Sequence, residues 1–166
     1  MEYIDELVAR YQNRGILIDT NLLLLFFVGK YDPDRITKFK NTMKFTIDEF
    51  WLLAGFLDAF ERLVTTPNVL TEVSNLSGQL PENLRALFYS DFANHISLVE
   101  EHYVPSLEAS SFTLFNKFGL TDSGIIQLVK DKFLVLTDDF KLAGYLQNRG
   151  IDVINFNHIR TLAWDA

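Results

Sequence analysis

Cysteine is absent from this 166-residue chain. That removes disulfides, thiolate metal sites and cysteine nucleophiles together, and it fits an intracellular protein. Long apolar runs are missing as well: the longest, Leu22 to Val28, has seven residues, whereas a membrane-crossing helix needs about 20. The N-terminus, Met1-Glu2-Tyr3-Ile4-Asp5-Glu6, is acidic where a secretory signal is basic. A soluble, cytoplasmic protein with no membrane partner is expected. No Gly-x-x-x-x-Gly-Lys stretch occurs, which argues against a P-loop enzyme. His95, His102 and His158 lack metal-ligand spacing and read as surface or core residues. Positive charge is scarce: 15 Lys and Arg stand against 22 Asp and Glu, a net charge of −7. This argues against nucleic-acid binding by bulk electrostatics. It does not exclude a nuclease, in which bound cations cancel part of the excess.

What is present is apolar and alternating. Apolar residues make up 48% of the chain and Phe alone numbers 15, enough for a core rather than disorder. Without repeats, low-complexity tracts or a Gly/Ser linker, residues 1–166 read as one domain. Short apolar strands alternate with amphipathic helices, the pattern of an α/β protein with a mostly parallel sheet between helical layers. Strands are expected at 16–18, 63–65, 133–136 and 151–154. Helices are expected at 2–13, at 22–28 closed by Gly29, and at 34–43 opened by Pro33. A long helix follows the capping-box pattern Thr46-Ile47-Asp48-Glu49 and runs to about Leu63. Pro67 opens another, 82–103 runs to a break at Pro105, and 106–117 is capped by Gly119. Thr121 is expected to N-cap the next, 138–149 is closed by Gly150, and 158–163 forms a final turn.

Four acidic motifs punctuate this pattern: Ile16-Leu17-Ile18-Asp19-Thr20-Asn21, Thr66-Pro67-Asn68-Val69-Leu70-Thr71-Glu72, Leu120-Thr121-Asp122-Ser123-Gly124 and Val135-Leu136-Thr137-Asp138-Asp139. Each sets a carboxylate where an apolar segment meets a turn or helix start. A carboxylate there is costly to desolvate without a partner. Four that converge repel one another, and a divalent cation stabilises the set most simply. Oxygen ligands of this kind suit Mg²⁺ or Mn²⁺, ions that orient water and neutralise charge on a phosphate.

In order and spacing these motifs resemble the PIN domain, a metal-dependent nuclease family, over nearly the whole chain. The Leu142-Ala143 and Gly150-Ile151-Asp152-Val153 segments share the likeness. The resemblance implies a three-layer fold in which Asp19, Glu72, Asp122 and Asp139 hold one or two Mg²⁺ or Mn²⁺ ions. Asn21 and Thr137 match its supporting polar positions. Its Thr-x-Asp pattern selects Asp139, with Asp138 as a neighbouring candidate. The resemblance further implies hydrolysis of RNA phosphodiester bonds leaving 5′-phosphates, a homodimer and, among its toxin members, an antitoxin partner. Compared with those small members, helical sequence around 34–62 and 82–117 is extra. A non-catalytic PIN module that binds RNA or protein is the alternative. A receiver-like domain would need a lysine after the last strand, where Asn155-Phe156-Asn157 stands.

Two further features carry weaker signals. Lys30, Arg35, Lys38, Lys40 and Lys44 form a locally basic stretch that could contact an RNA backbone or simply be a solvated face. The helically spaced aromatics Phe45, Phe50, Trp51, Phe56 and Phe60, and later Phe88 and Phe92, read as core or subunit contacts.

Overall fold

The computed structural model describes residues 2–130 and 132–164, with side chains through residue 161. Its elements run α1 (Glu2–Tyr11), β1 (Ile16–Ile18), α2 (Thr20–Tyr31), a 3-10 turn (Pro33–Arg35), α3 (Ile47–Leu57), β2 (Leu63–Thr65), α4 (Pro67–Ser77) and α5 (Glu82–His95). A second 3-10 turn (Ile96–Leu98), β3 (Glu100–Glu101), α6 (Ser106–Ser110), α7 (Phe115–Val129), β4 (Leu134–Thr137), α8 (Phe140–Asn148), β5 (Val153–Asn155) and α9 (Phe156–Trp164) complete the order. The five strands form one sheet in the order β3-β2-β1-β4-β5, and every pairing is parallel. The expected α/β fold is therefore present, with helices flanking an all-parallel sheet.

Central β1 and β4 are apolar along their length because both of their faces are covered: Ile16, Leu17, Ile18, Leu134, Val135 and Leu136 are fully buried. Strand order sets the position of the site. From β1 the chain steps outward to β2 and β3, then returns to the other side of β1 as β4. The β1–β4 boundary is the switch point at which such sheets open a crevice beyond their strand ends. Asp19 follows β1 there, and Asp138 and Asp139 follow β4.

Several expected elements differ. Gly29 does not end α2, which continues to Tyr31. The glycine serves packing instead: a Cβ there would lie 2.2 Å from Cδ2 of Phe50 on α3. Residues 34–43 are not an α-helix; beyond the short 3-10 turn the chain winds through successive turns. Buried Thr42 holds that form by donating to the carbonyls of Ile36 and Phe39, while Ile36, Phe39 and Phe45 anchor it in the core. The capping box at Thr46 and Glu49 is present, but its helix ends at Leu57. Within 82–103 the helix stops at His95, and Glu100–Glu101 pair with β2 as an edge strand. Residues 106–117 divide between α6 and the start of α7. Gly119 does break the helix, with φ +74. Among the described residues no helix is long and apolar enough to cross a membrane.

Candidate active site

Asp19 is the N-cap of α2. It receives hydrogen bonds from the Thr20 backbone N–H at 2.6 Å and from the Thr137 hydroxyl at 2.5 Å. Thr137 is itself wholly buried at the end of β4, and its oxygen accepts the Asp139 N–H at 3.0 Å. One threonine thus ties the ends of both central strands together. Asp139 N-caps α8, accepting from the backbone of Lys141 and Leu142. Glu72, on α4, accepts from the Thr20 hydroxyl at 2.9 Å and the Thr121 hydroxyl at 2.5 Å. Thr121 therefore spends its hydroxyl on Glu72 rather than on capping the helix that follows.

Asp122 differs from its neighbours. Among the described residues none donates a hydrogen bond to it. Burial, and then the charges of Asp19, Asp139 and Glu72, push its carboxyl up to about 7, against the opposing charge of Lys141. Burial also pushes Asp19 up to about 6, despite the bonds from Thr137 and Thr20 that favour its charged form, and Asp138 and Asp139 add to that push. Four expected acids, from four separate elements, thus share one electrostatic neighbourhood. Beside them the Ser123 hydroxyl is buried without a hydrogen-bond partner, as are side-chain atoms of Thr65 and Asn155 at the ends of β2 and β5.

Asp138 is engaged elsewhere. Its carboxylate takes Lys44 Nζ at 2.5 Å and Asn21 Nδ2 at 3.1 Å. Asn21 is thus a partner of Asp138 rather than of Asp19. Of the basic stretch, Lys44 alone has a hydrogen bond to this acidic edge. Lys30 caps the ring of Phe26 at the far end of α2, about 16 Å along the helix from Asp19. Arg35 lies 3.7 Å from Asp32, and Lys38 and Lys40 are exposed.

Sequence reasoning missed three contributors. Lys141 lies over the Phe118 ring and donates to the Lys117 carbonyl, and its charge reaches Asp122. Its position two residues after Asp139 was the available signal. The hydroxyls of Thr20 and Thr121 lie inside the acidic motifs, the first unassigned and the second expected as a helix cap, and both bind Glu72. A third contributor runs from α3 to the β4–α8 turn: Glu49 to Arg160 at 2.5 Å, Arg160 to Asn157 at 2.9 Å, and Asn157 to the Asp138 carbonyl at 3.0 Å. No local pattern announces it, since Glu49 and Arg160 are 111 positions apart.

The donor set has the chemistry of a hard-cation site: carboxylates, hydroxyls and no soft ligand. As the side chains stand, no three His, Asp or Glu among the described residues are set to hold one ion. Glu72 and Asp139 are instead turned to hydroxyl and backbone donors. No protein-family model matches this chain, and no curated protein matches it either.

Proposed function

We propose that this chain is a metal-dependent endoribonuclease of the PIN type, cutting RNA through carboxylates that hold Mg²⁺ or Mn²⁺. The observation that carries the reading is the shared electrostatic neighbourhood of Asp19, Glu72, Asp122 and Asp139 near the switch point of a parallel sheet, with Asp122 half-buried among like charges. A bound divalent ion would supply charge neutralisation at the phosphate and a more acidic water. Asp19 and Asp122 are the residues to hold it. Glu72 and Asp139 complete the set by exchanging their hydroxyl and backbone donors for the ion. Thr137 keeps Asp19 oriented, and Lys141 offers a positive charge beside Asp122 for a substrate phosphate. Asp138 serves as the anchor of Lys44 rather than as a ligand.

The absence of a ready-made three-ligand group favours a second reading, a non-catalytic PIN module that binds RNA or protein. One experiment separates the two. Purified protein is incubated with a fluorescent RNA pool in Mn²⁺ or EDTA, beside the Asp19→Asn variant. Cleavage that needs Mn²⁺ and disappears in the variant supports the nuclease. RNA left intact in every sample supports the module. An antitoxin, as the small toxin members of the family have, would show as a co-purifying protein that blocks cutting, and a homodimer as twice the chain mass in light scattering.

A further inference from the structure

We propose that Phe140, with His158 beside it, forms a stacking subsite for one nucleobase of a single-stranded RNA at the mouth of the acidic cluster. The proposal rests on the nuclease reading and deepens it by naming how the strand is held.

Phe140 is the first residue of α8 and directly follows Asp139. It is 66% exposed, whereas Phe133 and Phe156 nearby in sequence are 6% and 0% exposed. The buried side of α8 is Leu142, Ala143 and Leu146, so α8 does not use the Phe140 ring for its own packing. A single exposed apolar side chain is ordinary. Three further observations set this one apart. Its neighbour is another exposed ring, the imidazole of His158 on α9, with centroids 6.5 Å apart in an edge arrangement. The chain carries net charge −7, yet two cations are anchored on the same turn: Lys44 pairs with Asp138, two residues before Phe140, and Lys141 is the next residue along, its ammonium over the Phe118 ring. The backbone beneath is held, because Asn157 binds the Asp138 carbonyl and Asp139 caps the helix.

An exposed aromatic ring directly after Asp139, on a turn that also carries two lysines, matches the two needs of single-strand binding. Bases stack on the ring, and phosphates meet the cations. A base can lie on such a ring only when it is unpaired, so the subsite favours single strands over duplexes.

The test is binding of a short fluorescein-labelled single-stranded RNA, measured by anisotropy in the Asp19→Asn background so that nothing is cut. Phe140→Ala should weaken binding roughly tenfold, the scale of one lost base stack. Phe140→Trp should keep the affinity, with its indole fluorescence quenched by the strand. A strand made abasic at successive positions should, at one position, lose its sensitivity to Phe140→Ala. If the parent binds the strand and Phe140→Ala binds it equally well, the subsite is wrong and the nuclease reading stands. If the parent sequence neither binds the strand nor cuts it with Mn²⁺, the nuclease reading falls and the subsite falls with it.

Discussion

Two regions of this molecule bury acids, and they treat them in opposite ways. Glu49, 3% exposed, closes the capping box of α3 with one oxygen and binds Arg160 of α9 with the other. Its charge is met by a cation and its lone pairs by donors, the conditions under which a buried ion can be tolerated. Asp19, 7% exposed, also receives two hydrogen bonds. Among the described residues it has no ion pair, and Asp122 beside it has no donor at all. A fold able to satisfy Glu49 so fully has gathered four carboxylates near its switch point with hydroxyl and backbone donors for three of them and, among the described residues, none for Asp122. Compensation marks the first region as structural; what the second lacks is a counter-charge, which the proposed divalent ion would supply.

The contrast breaks most visibly in activity. Asp19→Asn and Asp122→Asn should each remove metal-dependent RNA cleavage, by more than the roughly 100-fold lost with groups one step removed from a metal, while circular dichroism stays native. Cutting that survives both changes would place the chemistry elsewhere. In stability the two regions should respond with opposite signs. Glu49→Ala strips the cap and leaves Arg160 unpaired, an expected loss of about 3 kcal/mol. At roughly 2–4 °C per kcal/mol for a chain of this size, thermal melting would show it clearly, and an unchanged midpoint would dismiss the pair as decoration.

The pH dependence of the ion-free protein comes next. Asp19 and Asp122, held at about 6 and about 7 in the fold, bind protons there that the unfolded chain has already released. Stability therefore falls as pH rises from about 4 to about 7, by several kcal/mol. Glu100 works the other way: Arg62 and His102 hold it down at about 2, so its contribution is lost only as pH falls below about 4.5. Urea midpoints in EDTA should peak near about pH 4 and decline toward pH 8, and Mn²⁺ should lift the alkaline side most. A midpoint that climbs steadily to pH 8 would contradict the uncompensated cluster. Last, Asp122→Asn should stabilise the ion-free protein at pH 8 and abolish the added stability that Mn²⁺ confers on the parent; a destabilised variant would mean that Asp122 is a structural acid like Glu49.

The central strands and the acidic motifs were legible because local pattern announces them: Ile16–Ile18 and Leu134–Leu136 are continuous apolar runs ending in Asp19 and in Asp138-Asp139. Edge strand β3 was not legible, because Glu100 and Glu101 are charged, short and without periodicity, and only pairing with Val64 and Thr65 makes them a strand. The helix expected at 34–43 has good helix formers, but the Thr42 hydroxyl satisfies the Ile36 and Phe39 carbonyls and stabilises turns instead. Gly29 reads as a helix stop by propensity and is a contact point by packing. At the site, the four acids follow from their motifs. The pairing of Asp138 with Lys44 did not, because the two lie 94 positions apart. Contacts of that span leave no trace in local periodicity.

The bond from Thr137 to Asp19 joins residues 118 positions apart. Pairings of such separation form late, since a long loop must close before they contribute. During synthesis β1, α2 and α4 leave the ribosome long before β4 and α8 exist. Asp19 and Glu72 then stand without Asp122 and Asp139, and the crevice between β1 and β4 has only one wall. On the proposed nuclease reading, a nascent chain surrounded by ribosomal and messenger RNA is inert, and cutting begins only after β4 has docked.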